Sequence, residues 1–202
     1  MKKLILASTL ALMSASSFAA DDHTGFRVGG GLGSSVAKFD VPGAELVNDK
    51  ADREVEADPS LVIEAGYDFN KIFAVNVKGA GSGFKTYEKG SNKGLKSGTA
   101  YEISLEGEAG YTFVTDGGAA IKPYAAIGGV YYDKDSSKVF GLTDKDKGAV
   151  KARGAVGVRM TLDNGVYFDG RVQATDFSQK GKSFKAKDDL MTQGLLTVGY
   201  KF

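Results

Sequence analysis

The stretch DLMTQGLLTVGYKF, from Asp189 to Phe202, decides the fold. Alternate residues of an extended chain point to opposite faces. Leu190, Thr192, Gly194, Leu196, Val198, Tyr200 and Phe202 therefore share one face, and Met191, Gln193, Leu195, Thr197, Gly199 and Lys201 the other. The first face is the more apolar, and no proline interrupts it. A strand of about 9–11 residues tilted at roughly 45° crosses a bilayer core, and this stretch is long enough. It cannot cross alone. Unpaired backbone N–H and C=O groups are too costly in hydrocarbon, so a spanning strand requires a closed barrel, and the rest of the chain must supply its partners.

Seven further segments alternate in the same way. Thr24 to Phe39 sets Phe26, Val28, Gly30 and Leu32 against Arg27, Gly29, Gly31 and Gly33. Ser60 to Phe69 sets Leu61, Ile63, Ala65 and Tyr67 against Val62, Glu64, Gly66 and Asp68, and Asn70-Lys71 turns it tightly into an antiparallel return over Ile72 to Thr86. In that return Phe73, Val75 and Val77 face away from Asn76 and Lys78. Thr99 to Phe113 is the clearest: Tyr101, Ile103, Leu105, Ala109, Tyr111 and Phe113 alternate with Glu102, Ser104, Glu106, Glu108 and Thr112. Glu102, Glu106 and Glu108 on one face exclude lipid from it.

After the turn signal Asp116-Gly117-Gly118, Ala120 to Tyr132 directs Ile121, Ala125, Ile127 and Tyr131 outward and Lys122, Tyr124 and Tyr132 inward. Ala149 to Leu162 sets Val150, Ala152, Val156, Val158 and Met160 against Lys151, Arg153, Arg159 and Thr161. The hairpin signal Asp163-Asn164-Gly165 leads into Val166 to Phe177, where Val166, Phe168, Val172 and Ala174 oppose Tyr167, Asp169, Arg171 and Gln173.

Connections alternate in length. Asn70-Lys71, Val114 to Ala119 and Asp163 to Gly165 are short, whereas Asp40 to Asp58, Tyr87 to Gly98, Asp133 to Gly148 and Ser178 to Asp188 are long. Short turns on one rim and long loops on the other describe an outer-membrane barrel. Phe26, Tyr67, Phe69, Phe73, Tyr111, Phe113, Phe168, Tyr200 and Phe202 all fall at the short-turn ends, as an interfacial aromatic girdle does. The expected fold is all-β: an eight-stranded, antiparallel, transmembrane up-and-down β-barrel with four long outer loops and three short periplasmic turns. A secreted β-sandwich also alternates, but its strands average about 5–6 residues, and its apolar face needs no aromatic ring at one level.

The amino end agrees. Lys2 and Lys3, the apolar run Leu4 to Met13, and the small residues Ser17 and Ala19 read as a cleaved secretory signal over residues 1–19, leaving 20–202 as one barrel domain. The chain has no cysteine, so an oxidising compartment finds no disulfide to form. Its net charge of +1 argues against a nucleic-acid partner. Twenty-eight glycines against three prolines suit a curved, twisted sheet.

With its signal sequence, eight alternating strands, alternating loop lengths and the ending Gly199-Tyr200-Lys201-Phe202, the chain resembles the small outer-membrane barrels typified by the membrane domain of outer membrane protein A and by the outer membrane protein X and attachment-invasion group. The resemblance is architectural and covers the whole mature chain. It implies integral residence in the bacterial outer membrane, and insertion by the barrel-assembly machinery with Tyr200 and Phe202 as the recognition signal. The chain is expected to depart from outer membrane protein A in carrying no periplasmic domain after the barrel.

The inward positions hold Glu64, Asp68, Glu102, Glu106, Glu108 and Asp169 against Arg27, Lys78, Lys151, Arg153, Arg159 and Arg171. Eight strands enclose a space that side chains just fill, so six acids and six bases are expected to pair across a polar lumen. An ion channel typically needs a wider barrel or a surplus of one sign. Small barrels that act as enzymes usually use a histidine base, and the sole histidine, His23, sits at the periplasmic rim, so no enzyme is expected. No cofactor or metal site is expected either: Asp40, Glu45, Asp49, Asp52, Glu54, Glu56 and Asp58 lack EF-hand spacing and read as a solvated acidic loop. Gly29-Gly30-Gly31-Leu32-Gly33 has no helix after it and belongs to the sheet rather than to a nucleotide loop.

Function is then expected in the outer loops. Lys89, Lys93, Lys96, Lys180, Lys182, Lys185 and Lys187 are candidates to bind lipopolysaccharide phosphates or anionic host glycans, with solvated loop charge as the plain alternative. Tyr87, Phe140 and Phe184 are the aromatic candidates for a protein interface. By resemblance to the attachment-invasion group, the expected role is adhesion, colonisation or resistance to host defence through a host-surface or matrix receptor, by a monomer. A purely structural barrel and a narrow pore stay open beside it.

Overall fold

A computed structural model describes residues 23–35, 39–41, 53–88, 94–133, 136, 148–177 and 190–202. Among the described residues there are ten strands: β1 (Gly25–Ser35), β2 (Phe39–Val41), β3 (Arg53–Asp68), β4 (Phe73–Glu88), β5 (Gly94–Gly110), β6 (Phe113–Val114), β7 (Ala120–Tyr132), β8 (Ala149–Thr161), β9 (Val166–Asp176) and β10 (Leu190–Lys201). Eight of them form the barrel wall, in the order β1-β3-β4-β5-β7-β8-β9-β10. The wall closes because β1 pairs antiparallel with both β3 and β10, from Gly25↔Asp68 to Gly33↔Ser60 and from Arg27↔Lys201 to Ser35↔Gln193. Closure leaves the wall no open edge, as hydrocarbon demands.

Two of the three short turns are fixed by an asparagine side chain. Asn70 Oδ1 accepts hydrogen bonds from the N–H groups of Ile72 and Phe73, both at 2.8 Å. Asn164 Oδ1 accepts from Val166 N–H at 3.0 Å, and Gly165 beside it has φ +87°, a region that favours glycine. Pro123 sits within β7, where a missing N–H would break a ladder, but the β5–β7 ladder ends one residue away, at Gly110↔Tyr124.

The strands differ in length with consequence. β9 and β10 have 11 and 12 residues, enough to span the membrane with a tilt. β3 and β4 have 16 and β5 has 17. Their surplus lies at the outer end, where β2 adds to β3 through Phe39↔Val55, Asp40↔Glu54 and Val41↔Arg53. Two connections expected as long loops are thus partly strand: residues 53–58 belong to β3, 87–88 to β4 and 94–98 to β5, leaving 89–93 between β4 and β5. Tight alternation ends at Ser60 because Pro59 cannot donate to a ladder, and the β3–β4 register shifts there, between Ala57 and Ser60. The strand therefore continues past Pro59 into residues expected as loop. Residues 1–19, expected as the signal, lie outside the described residues.

The outward face is apolar. Leu61, Ile63, Ile127 and Leu196 are each more than 70% exposed in the isolated chain, which is the surface that lipid covers. At the periplasmic rim Tyr67–Phe69, Tyr111–Phe113 and Tyr200–Phe202 form edge-to-face pairs with ring centroids 5.3, 5.0 and 5.1 Å apart.

Candidate functional site

The structure turns all twelve charged side chains of the expected network into the lumen, ten of them buried and Glu102 and Lys151 half-buried. Two cations join them: Lys122, which the strand pattern directs inward, and Lys201, on the inward face of the closing strand. The described lumen therefore holds eight bases against six acids.

The tier nearest the periplasm is the most connected. Arg159 grips Glu108 through two hydrogen bonds, at 3.0 and 2.7 Å, and its Nε lies 3.1 Å from Asp169. Glu108 also accepts from Asn76 at 2.9 Å and lies 3.1 Å from Lys122. Arg27 donates to Asp68 at 3.1 Å and to Asn76 at 2.9 Å, and Lys201 reaches Asp68 at 3.1 Å. Aromatic rings support this tier: Arg159 stacks 5.0 Å from the Tyr124 ring centre and Arg27 5.8 Å from that of Tyr167.

Above it, Arg171 forms a double hydrogen bond with Glu106 at 2.7 and 3.0 Å and continues to Gln173, which donates to Gln193. Lys78 pairs with Glu64, which also accepts from Tyr167 at 2.6 Å and Thr197 at 3.1 Å. Higher still, Arg153 holds Glu102 at 2.7 and 2.8 Å, with Thr175 and Tyr132 as further partners.

Toward the outer end the lumen mixes apolar with polar side chains: Phe84, Met191 and Tyr132 line one small void together with Ser82, Glu102 and Gln193, and the Tyr132 and Phe177 rings lie 5.7 Å apart. Alternation sorts faces and not heights along a face, so it does not show which of these side chains meet. Two voids of about 10 Å³ each remain near this level, each room for about one water.

The glycines of β1 and β10 make the packing fit. A Cβ on Gly29 or Gly199 would collide with the Tyr167 ring system, and one on Gly66 would press on Arg27 and Asn76. Gly29 and Gly199 leave the space that the Tyr167 ring occupies, and Gly66 in β3 leaves that of the Arg27 guanidinium.

Among the surface candidates, Lys96 lies in β5 with its backbone paired to Thr86, and its side chain is outside the described set. Lys89, Lys93, Lys180, Lys182, Lys185, Lys187, Phe140 and Phe184 lie outside the described residues. Tyr87 ends the β4–β5 ladder opposite Gly94. Tyr200 and Phe202 sit at the periplasmic rim, where Phe202 N–H donates to Phe26 O at 2.9 Å.

A family model described as the outer membrane protein beta-barrel domain matches residues 5–202. The chain belongs to this family. It is an integral outer-membrane β-barrel of bacteria, held by strands and filled by paired charge. Among solved structures, this outer-membrane barrel is similar to the outer membrane protein OprG from Pseudomonas aeruginosa, at 16% identity over 90% of this chain and 97% of that one, with a TM-score of 0.45. It is also similar to Ail, the attachment invasion locus protein of Yersinia pestis, at 13% identity over 89% and 97% respectively, with a TM-score of 0.38. Neither likeness is close enough to carry an inference. A comparison with curated protein sequences gives no match.

Proposed function

We propose that this barrel works at the cell surface, through the part that projects beyond the bilayer, in adhesion, colonisation or resistance to host defence. The observation that supports it is the continuation of β3, β4 and β5 past the length a membrane requires, with β2 added at their outer end. Lipopolysaccharide phosphates, anionic host glycans or a matrix receptor are the partners that the loop lysines suit. Tyr200 and Phe202 act earlier, as the signal read by the barrel-assembly machinery, and the working unit is a monomer.

One observation favours a second reading, a structural barrel without a ligand: the filled lumen is a rigid prop whatever the loops do. A narrow pore is the third. Cells displaying the full chain are compared with cells displaying the same barrel with its outer connections cut to tight turns, for binding to cultured host cells and immobilised glycans. The adhesion reading expects binding to fall when the connections go, at equal surface expression. Equal binding by the two strains refutes it, and stepwise currents from the purified protein in planar bilayers would then select the pore over the structural prop.

A further inference from the structure

The hydrogen bonds of the lumen leave a remainder at one level. Arg171 carries only donors, so Gln173 must meet it with its amide oxygen, at 2.8 Å. Gln173 then turns its own NH2 group to Gln193 Oε1, also at 2.8 Å. The direction of this chain is forced, and it ends on the NH2 group of Gln193. That side chain is 3% exposed, and its NH2 group has no acceptor among the described residues. Two hydroxyls stand in the same position: Ser60 and Ser82 are 3% and 7% exposed and make no side-chain hydrogen bond among the described residues. A buried polar group without a partner costs stability, so each of the three calls for one.

All three border the two small voids of about 10 Å³ each. Ser60 and Gln193 line one, together with Lys78, Gln173, Glu102 and Arg153. Ser82 and Gln193 line the other, together with Glu102 and Tyr132. Further capacity faces the same level. An ammonium has three N–H donors, and the pair with Glu64 uses one of those of Lys78. An ionised carboxylate accepts at about four lone-pair positions, and Arg153 fills two of those of Glu102.

We infer that these voids are two resident water sites. The first water bridges Ser60, Lys78 and Gln193, and the second bridges Gln193, Ser82 and Glu102. The volume of each is that of about one water, and each supplies the three or so polar partners that a buried water uses. Chemistry excludes a monatomic ion. Both voids border the Gln193 NH2 group, which needs an acceptor, and the Glu102 carboxylate, which takes a donor; water serves both, whereas a bare anion cannot donate and a bare cation cannot accept. The consequence is a joined network. Through the two waters the Arg171–Gln173–Gln193 chain and the Lys78–Glu64 pair connect to the Arg153–Glu102 pair above them, which no side-chain hydrogen bond among the described residues does directly. Nothing in this depends on the adhesion reading.

The test begins with a crystal structure of the full chain grown from a lipidic mesophase, at a resolution that shows ordered water elsewhere on the protein. Density is expected within hydrogen-bond distance of Ser60 Oγ and Gln193 Nε2 in one void, and of Ser82 Oγ and Glu102 in the other. Voids without density overturn the inference. Ser60→Ala and Ser82→Ala each remove one partner of a held water, so each should lower the urea midpoint of unfolding in lipid vesicles by about 0.5 M. In a dry void the same hydroxyl has no partner to lose. A midpoint that stays or rises therefore overturns the corresponding water. Should either variant fail to fold, the density in the unaltered protein decides alone.

Discussion

Replacing Arg153 with alanine tests whether lumen pairing holds this barrel together. Arg153 is 2% exposed and makes two hydrogen bonds to Glu102, at 2.7 and 2.8 Å, one to Thr175 at 2.8 Å and one to Tyr132 at 3.2 Å. Its loss leaves the Glu102 carboxylate inside the barrel without its bidentate partner. Breaking a buried pair from one side costs about 3–5 kcal/mol, since the surviving charge has lost both its water and its counter-ion. With a urea slope of about 2 kcal/mol per molar, the unfolding midpoint should fall by roughly 1.5–2.5 M. Reversible unfolding in lipid vesicles measures this by circular dichroism or tyrosine fluorescence, since the chain has no tryptophan. Glu102→Ala with Arg153→Ala removes both charges, and the double variant should recover about 1–3 kcal/mol relative to the sum of the single losses. A fall below about 0.5 M at unchanged slope in the single variant, or a double variant no better than that sum, refutes the reasoning.

Two other outcomes follow from the packing. Gly29→Ala drives a methyl group into the Tyr167 hydroxyl and the Val198 carbonyl, and should destabilise by about 1–3 kcal/mol in the same assay, whereas Gly30→Ala, one residue on and facing lipid, should change the midpoint little. Phe202→Ala removes the rim contacts to Tyr200 and Phe26, each worth about 0.5–1.5 kcal/mol, so refolded protein should lose about 1–3 kcal/mol; the amount of folded barrel in outer membranes should fall by more than that loss explains if Phe202 is an assembly signal.

Much of this was legible because a membrane barrel imposes two opposite solvents on one strand. Glu102, Glu106 and Glu108 cannot face lipid, and Ile103 and Leu105 between them can, so period-two alternation fixes which side chains enter the lumen. The partners were not legible. Glu108 is met by Arg159, Lys122, Asn76 and, at 4.0 Å, Arg27, which lie on four different strands; only the closing register decides that. Lys201 could have joined the lumen list from the alternation of its own strand, since it lies in phase with Thr197 and Gln193. The outer reach of β3 was hidden for another reason. Its residues 53–58 alternate Glu54, Glu56 and Asp58 with Val55 and Ala57, but Pro59 and the register shift beside it interrupt the run, and the acids make it read as a loop. Chemistry at the outer surface is likewise written in residues whose neighbours are solvent, so composition suggests a partner class there and goes no further.

The β3–β4 ladder runs on both sides of the register shift at Pro59, from Arg53↔Glu88 outside the bilayer to Asp68↔Ala74 at the periplasmic rim. A pull on the outer tip therefore acts along strands whose hydrogen bonds stand across the direction of force. Such a load shears many bonds together instead of unzipping them singly. It passes from β3 and β4 into neighbours that close a ring, so no single strand bears it. Tension applied at the outer end would be spread around the whole closed wall before any one strand could be drawn out of the membrane.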